Sequence, residues 1–209
     1  MTVSIQNSVK ELGRQAREAS RIVAASTVAT RNRALLAIRD SIADNRNDLL
    51  SANAQDLAAG VKSELAPALL DRLELNAERI TSLMVSLEQV AALPDPVGAI
   101  DGVRTMDSGI RVGKMRVPLG VIGIIYESRP NVTVEAASLC LKAGNAAILR
   151  GGSEAINSNL ALGRCIQEGL ASAGLPAATT QVVATTDRAV VDALIRLSGY
   201  VDMVIPRGG

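Results

Sequence analysis

The sequence contains no histidine, no tryptophan and no phenylalanine, and Tyr126 and Tyr200 are its two aromatic residues. Without histidine the chain cannot build a Ser-His-Asp triad, a Cys-His pair or an imidazole general base. With so few aromatic rings it offers no platform on which the bases of a nucleic acid could stack. We therefore expect neither a histidine-dependent hydrolase nor a nucleic-acid-binding protein.

Cysteine is also rare, and neither sign of charge is in excess. Cys140 and Cys165 are too far apart in sequence to form a C-x-x-C metal or redox site. The chain has 22 basic and 21 acidic residues, and no uninterrupted apolar run approaches the roughly 20 residues that cross a bilayer. The N-terminus lacks the apolar segment of a signal peptide. These absences predict no metal site, no membrane span and a cytoplasmic chain with reduced thiols.

The 209 residues divide by pattern into three regions, and together they predict an α/β fold. Residues 1–93 carry apolar side chains at three- and four-residue steps, which indicates amphipathic helices. Residues 97–118 are rich in glycine and β-branched residues and contain turn dipeptides, which predicts a small antiparallel hairpin region. Residues 119–209 alternate strand and helix patterns, which predicts right-handed βαβ units on a Rossmann-like parallel sheet.

Single residues mark several of the expected boundaries. We predict strands over 119–126, 145–150, 180–184 and 201–205, and helices over 132–143, 154–173 and 187–198. Gly144 and Gly174 are expected to end the first two of these helices, and Gly60 to end an earlier one near residue 59. Ser153 is a candidate N-cap for the helix from 154.

Two of the expected strand ends combine an arginine with adjacent glycines. The first comprises Arg150, Gly151, Gly152 and Ser153, and the second comprises Pro206, Arg207, Gly208 and Gly209. Parallel sheets bind ligands at the carboxyl ends of their strands, where glycines and a helix N-terminus suit a phosphate. Arg150 is a candidate to hold the 2′-phosphate of NADP. The alternative is an ordinary glycine turn with a solvated arginine.

The end of the first strand offers two further candidates. The amide of Asn131 could donate a hydrogen bond to a developing oxyanion, or it could cap the helix that follows. Arg129 could bind a substrate carboxylate through its planar guanidinium, or it could be a surface arginine beside a proline. Cys140 and Cys165 lie within predicted helices, where we interpret both as small apolar core residues.

Several longer strings resemble the gamma-glutamyl phosphate reductase family of the aldehyde dehydrogenase superfamily. They are 53–56 (NAQD), 95–98 (DPVG), 118–123 (PLGVIG), 125–133 (IYESRPNVT), 141–145 (LKAGN), 145–152 (NAAILRGG), 173–176 (AGLP) and 203–209 (MVIPRGG). The resemblance implies NADPH-dependent reduction of L-glutamyl 5-phosphate to L-glutamate 5-semialdehyde, with release of phosphate, in proline biosynthesis. A cysteine nucleophile and hydride exchange with the nicotinamide would carry the reaction.

The resemblance also assigns roles and sets limits. It implies that the Arg150–Ser153 corner meets the adenosine ribose and that the Pro206–Gly209 turn lies beside the pyrophosphate. Asn131 lies near the superfamily's oxyanion asparagine, although the spacing differs. The family places its catalytic cysteine after the Pro-Arg-Gly-Gly turn, so we expect a truncated, inactive N-terminal half without the catalytic domain.

Two further expectations concern association. The strands over 97–118 and the family resemblance suggest a homodimer formed through that region. The alternative to a reductase half is a stand-alone nucleotide-binding or interaction module that keeps the fold without catalysis.

Overall fold

A computed structural model describes residues 2–207, and its first half is helical as the periodicity predicted. The helices are α1 (Thr2–Ala25), α2 (Val28–Asp44), α3 (Arg46–Lys62), α4 (Pro67–Leu73) and α5 (Ala77–Ala92). Two of them begin at side-chain caps, since Thr27 accepts a hydrogen bond from the Thr30 N–H and Asn76 accepts one from the Arg79 N–H.

A two-stranded antiparallel hairpin follows, which confirms the expected hairpin region. Its strands are β1 (Ile100–Thr105) and β2 (Arg111–Met115), with Ile100 opposite Met115 and Thr105 opposite Arg111. Every residue of both strands is exposed, apolar ones included. An isolated two-stranded ribbon is marginally stable in water, so this hairpin gains little from its own packing.

The second half forms a parallel sheet covered by helices, which confirms the predicted α/β class. The remaining elements are β3 (Val121–Tyr126), α6 (Pro130–Lys142), β4 (Ala146–Arg150), α7 (Ile156–Ser172), β5 (Thr180–Val182), α8 (Ala189–Ile195) and β6 (Met203–Arg207). The strand order is β5-β4-β3-β6. The chain therefore adds β4 and β5 on one side of β3 and then β6 on the other side. This change of direction creates a topological switch point between β3 and β6.

Alternate residues of the strands divide between two hydrophobic cores, one on each face of the sheet. Ala147 and Leu149 of β4 face a core shared with α2, α5, α6 and α7. Ala146 and Ile148 face the other core, against α1 and α8. Because side chains alternate across a strand, this continuous apolar run is buried on both faces.

Three predicted boundaries meet different outcomes. Gly144 and Gly174 end their helices with φ of +73° and +79°, as expected. Gly60 does not end α3, which runs on to Lys62 before Glu64 takes the positive φ. Gly60 is instead buried in the helix, where an added Cβ would lie 3.0 Å from both Leu65 and Leu70.

The predicted cap at Ser153 is also wrong. Residues Ser153–Ala155 form a single 3-10 turn, and α7 begins only at Ile156. Asp56, from α3, supplies the acceptor for the start of α7 by binding the N–H groups of Asn157 and Ser158 at 3.1 and 2.8 Å. A cap from a distant helix is a tertiary contact that local sequence does not signal.

Candidate functional site

The carboxyl ends of β3 and β4 and the loop before α8 surround a cleft of about 470 Å³. We call it the arginine cleft, because four arginines line it against two glutamates. These residues are Arg72, Arg129, Arg150 and Arg188, with Glu127 and Glu154. The excess of guanidinium groups favours an anionic ligand, and the cleft lies where open parallel sheets bind their ligands.

Three of the four arginines have side chains that are free to take up an anion. Within residues 2–207, the guanidinium groups of Arg72, Arg129 and Arg188 make no hydrogen bond and no ion pair. All three residues are exposed. A guanidinium group can bind a phosphate or carboxylate through two parallel hydrogen bonds, so each is a candidate for such a contact.

Arg150 is held differently, at the end of β4. Its Nη1 donates to the carbonyl of Gly151 at 2.8 Å, and its Nη2 donates to the carbonyl of Thr186 at 3.2 Å. Its Nε is buried and has no partner among the described residues. The side chain therefore ties β4 to the loop before α8, and Nη1 and Nη2 each keep a second N–H that no acceptor within residues 2–207 uses.

Residues 151 and 152 have to be glycine because neighbouring side chains leave no room for a Cβ atom at either position. A Cβ on Gly151 would lie 2.2 Å from Nδ2 of Asn159, and one on Gly152 would lie 2.6 Å from Oγ of Ser128. Neither glycine has a positive φ. The β4 turn thus presses directly on the loop after β3, which fixes the shape of the cleft wall.

Glu154 is the acidic group that this turn holds in place. Ser128 donates to its Oε2 at 2.6 Å and Ser153 donates to its Oε1 at 3.1 Å. Burial acts to raise the pKa of Glu154, but these hydrogen bonds, its own backbone N–H and the charge of Arg150 hold that pKa below its ordinary value. The group is therefore an anion at neutral pH, and it offsets part of the cleft's positive charge.

A buried chain of hydrogen bonds fixes the end of β3. Thr133 donates to Oδ1 of Asn159 at 2.8 Å, so the Tyr126 hydroxyl must be the donor in its 2.7 Å contact with Thr133. Burial raises the pKa of Tyr126 to about 12, with smaller opposing effects from Thr133 and Arg150. These hydrogen bonds join β3, α6 and α7 directly beneath the cleft.

Asn131 does not cap α6, so that interpretation was wrong. The helix begins at Pro130 with Arg129 at the N-cap position, and no side chain caps it. Asn131 lies inside the first turn, where its Nδ2 donates to Oε1 of Glu135 at 2.8 Å. Proline is favoured at the first helical position, which sets the start of α6 one residue before Asn131. The oxyanion role stays a prediction.

A second cleft of about 430 Å³ lies between α5 and the start of α6, and we call it the α5–α6 cleft. It shares Arg72 and Arg129 with the arginine cleft. Its other polar residues include Arg79, Ser82, Ser86, Asn131 and Glu135, and Leu75 and Leu83 supply apolar surface. The loop after β3 thus separates two polar clefts that meet at the same arginines.

The second glycine corner falls partly within β6 and partly outside the described residues. Pro206 and Arg207 continue the strand beyond its predicted end, opposite Ile125 and Tyr126 of β3. Arg207 lies at the switch point, with its Nη1 4.0 Å from Oε2 of Glu135. Gly208 and Gly209 lie outside residues 2–207.

Both cysteines are buried in helices, which confirms their interpretation as core residues. Burial raises the pKa of the Cys140 thiol to about 12 and also raises the pKa of the Cys165 thiol. Neither is a thiolate at neutral pH, and neither lines the arginine cleft or the α5–α6 cleft.

Among the described residues, no group of three or more histidine, cysteine, aspartate or glutamate side chains is arranged to hold a metal ion. In the same part of the chain, no helix combines the length and apolar character that a membrane crossing requires.

The NAQD and DPVG strings hold the helical region in place, although neither was predicted to take part in chemistry. Besides Asp56, the NAQD string supplies Asn53, whose Nδ2 donates to the Leu73 carbonyl at 2.8 Å. In the DPVG string, Asp95 pairs with the fully buried Arg31 at 2.7 Å. Their sequence signal was the family resemblance alone.

Comparison with known proteins places the whole described chain in one group. The profile of the aldehyde dehydrogenase family matches residues 2–208. The gamma-glutamyl phosphate reductase of Thermotoga maritima is 40% identical with a TM-score of 0.92, over 96% of this chain and 49% of that one. The corresponding Saccharomyces cerevisiae enzyme is 31% identical with a TM-score of 0.88, over 97% and 51%.

A more distant structure shows the fold alone. The NAD-dependent benzaldehyde dehydrogenase of Corynebacterium glutamicum is 18% identical with a TM-score of 0.75, over 98% of this chain and 41% of that one. The chain thus spans about half the length of the two reductases that it matches.

Proposed function

The chain belongs to the aldehyde dehydrogenase family, and we propose that it forms the NADPH-binding part of a reductase that acts on L-glutamyl 5-phosphate. The observation that carries the cofactor half of this proposal is the arginine cleft at the carboxyl ends of β3 and β4. The observation that carries the substrate half is the likeness to two gamma-glutamyl phosphate reductases.

The residues present fit a phosphorylated dinucleotide. Arg150, with Gly151, Gly152 and Ser153, would hold the adenosine ribose and its 2′-phosphate, since Nη1 and Nη2 each donate one hydrogen bond and keep a second N–H. Pro206, Arg207, Gly208 and Gly209 would lie beside the pyrophosphate. A 2′-phosphate binds an arginine by charge-assisted hydrogen bonds that the 2′-hydroxyl of NAD cannot match. NADPH, when bound, supplies the hydride.

Substrate binding would involve the loop after β3. Arg129 would hold a substrate carboxylate, since its guanidinium has no partner within residues 2–207. Asn131 would donate to an oxyanion through the second N–H of its Nδ2, because the first is bonded to Glu135. The two buried hydrogen bonds that connect Tyr126, Thr133 and Asn159 would keep this loop in one position.

The chain's own cysteines do not supply the nucleophile. Cys140 and Cys165 are buried, and the pKa of each thiol is raised, so acyl transfer to either is disfavoured. The thiolate that acyl-phosphate chemistry of this type requires would come from outside the described residues. We therefore propose that this chain by itself binds ligands without catalysing the reduction.

We place the reaction in proline biosynthesis and the protein in the cytoplasm, where the two thiols stay reduced. The exposed apolar residues of the β1–β2 hairpin would be covered in a homodimer formed through residues 97–118. Ile100, Ile110 and Met115 are each 59% exposed or more.

Calorimetric titration of the chain with NADP and with NAD tests the cofactor assignment. We expect NADP to bind more tightly, and Arg150→Ala to weaken NADP binding about ten- to hundredfold while NAD binding hardly changes. That range follows from about 1.5–3 kcal/mol for a hydrogen bond to a charged group. Arg164→Ala, an exposed arginine on α7, is the matched control. Equal losses for both cofactors would mean that Arg150 only supports its turn, and absence of binding would refute the proposal.

A further inference from the structure

The α5–α6 cleft has both charged and apolar surface, and its charges are unevenly available. Arg79 is already committed, because its Nη2 donates to Oδ1 of Asp71 at 2.9 Å and its Nη1 donates to the Glu74 carbonyl at 2.8 Å. Arg72 and Arg129 have no such partners within residues 2–207. An anionic ligand group would therefore meet Arg72 or Arg129 and not Arg79.

Glu135 is one of three carboxylates that line the cleft, and the other two are engaged, because Asp71 accepts from Arg79 and Glu74 accepts from Asn76. Oε1 of Glu135 accepts the hydrogen bond from Asn131, but its Oε2 has only a long 4.0 Å approach from Nη1 of Arg207. That distance is too great for a hydrogen bond. Since the side chain is 41% exposed, Oε2 can accept hydrogen bonds from a cationic ligand group.

Two serines of α5 add acceptors to the same cleft. The Ser82 hydroxyl donates to the Glu78 carbonyl at 3.1 Å, and the Ser86 hydroxyl donates to the Leu83 carbonyl at 2.8 Å. A hydroxyl has one hydrogen, so each serine can now offer a ligand only its lone pairs. Acceptors of this kind suit an ammonium group, which has three N–H donors and no acceptor.

The spacing of the opposite charges suits a small zwitterion. Arg129 is the extended N-cap residue of α6, and Glu135 lies in the second turn of that helix, so both border the same end of the cleft. Both side chains line the cleft, so one ligand bound there can contact a cationic and an anionic group. Leu75 and Leu83 contribute the small apolar part of the lining, since they are only 2% and 3% exposed.

We infer that the α5–α6 cleft selects the amino-acid end of the substrate, with Glu135 binding its α-ammonium group and Arg129 its α-carboxylate. This rests on the proposed function, because L-glutamyl 5-phosphate carries both groups on one carbon. Ser82 and Ser86 add acceptors for the ammonium group. Glu135 is then a specificity residue, because a dicarboxylate that lacks an amine does not gain this contact.

NMR titration of the ¹⁵N-labelled chain with three small acids tests this assignment. L-Glutamate carries both α groups, glutarate lacks the ammonium, and 4-aminobutyrate lacks the α-carboxylate. We expect L-glutamate to shift resonances of residues 79–86 and 129–135, and glutarate and 4-aminobutyrate to bind at least about tenfold more weakly. A factor of ten is a modest result for one hydrogen-bonded charge pair.

Two variants assign the contacts. Glu135→Gln keeps the size of the side chain and should weaken L-glutamate about tenfold while leaving glutarate unchanged. Arg129→Gln should weaken L-glutamate and glutarate but not 4-aminobutyrate. Glu78→Gln and Arg33→Gln change exposed residues that do not line the cleft, and they should leave all three affinities unchanged.

The outcomes separate this inference from the proposed function. NADP added to the same sample reports on the arginine cleft through residues 150–154 and 186–188. If NADP binds but L-glutamate does not up to tens of millimolar, or if glutarate binds as well as L-glutamate, the inference is overturned and the cofactor proposal stands. If L-glutamate binds with the expected discrimination and NADP does not, the cofactor proposal fails instead.

Discussion

Replacement of Asp56 by alanine removes the contact that joins the helical region to the first turn of α7. Asp56 is 2% exposed. Its two carboxylate oxygens accept four hydrogen bonds, from the backbone N–H and side chain of both Asn157 and Ser158, at 2.7 to 3.1 Å. Alanine would leave two N–H groups at the start of α7 and two side chains without this acceptor.

The expected loss of stability is about 3 kcal/mol. A helix cap is worth typically about 1 kcal/mol, and a hydrogen bond to a charged group about 1.5–3 kcal/mol. The four bonds share one carboxylate, so their contributions do not add in full. Since a domain of this kind is stable by about 5–15 kcal/mol, the variant should still fold.

Urea unfolding of the chain and its variants measures the effect. Asp56→Asn keeps one carbonyl oxygen but turns the other acceptor into a donor, so it should lose about half as much stability as Asp56→Ala. Asp44→Ala, an exposed aspartate at the end of α2, should change stability by less than about 1 kcal/mol. If Asp56→Ala and Asp44→Ala unfold at the same urea concentration, Asp56 does not anchor α7 and our reasoning is wrong.

Three other outcomes are expected. Gly151→Ala should cost about 1–3 kcal/mol in urea unfolding, because its Cβ would meet Asn159 at 2.2 Å, whereas alanine at Gly199, where space is open, should cost less than about 1 kcal/mol; equal costs would contradict the packing argument. Tyr126 should ionise near pH 12 in an ultraviolet titration, and Tyr126→Phe should remove that step. The unfolded state loses this proton near pH 10, so stability should fall by up to about 3 kcal/mol as the pH rises from 10 to 12; a Tyr126 transition near pH 10 would refute its burial. Cys140 and Cys165 should react with a thiol reagent only after unfolding, and the chain should show no thiol-dependent reduction; fast labelling of the native chain would contradict both statements.

Apolar patterns, turn dipeptides and single glycines were sufficient to predict the elements of this protein. The run at 119–126 is apolar on both faces because helices cover both sides of the sheet, so its burial could be inferred before any contact was known. Gly144 and Gly174 end helices through a backbone conformation that glycine adopts readily, and this property belongs to the residue itself. The strand ends that carry Arg129 and Arg150 followed from the same patterns.

Only the tertiary structure decided the roles that depend on residues distant in sequence. Gly60 looks like a helix end in isolation, but Leu65 and Leu70 pack where its side chain would be. Ser153 looks like a cap in isolation. In the structure, however, the N–H groups at the start of α7 bind Asp56, which lies about a hundred residues earlier in the chain. The cleft that Arg129 and Glu135 line likewise exists only because α5 and α6 lie side by side. Local propensity carries no information about such contacts, because the packing of the whole chain creates them.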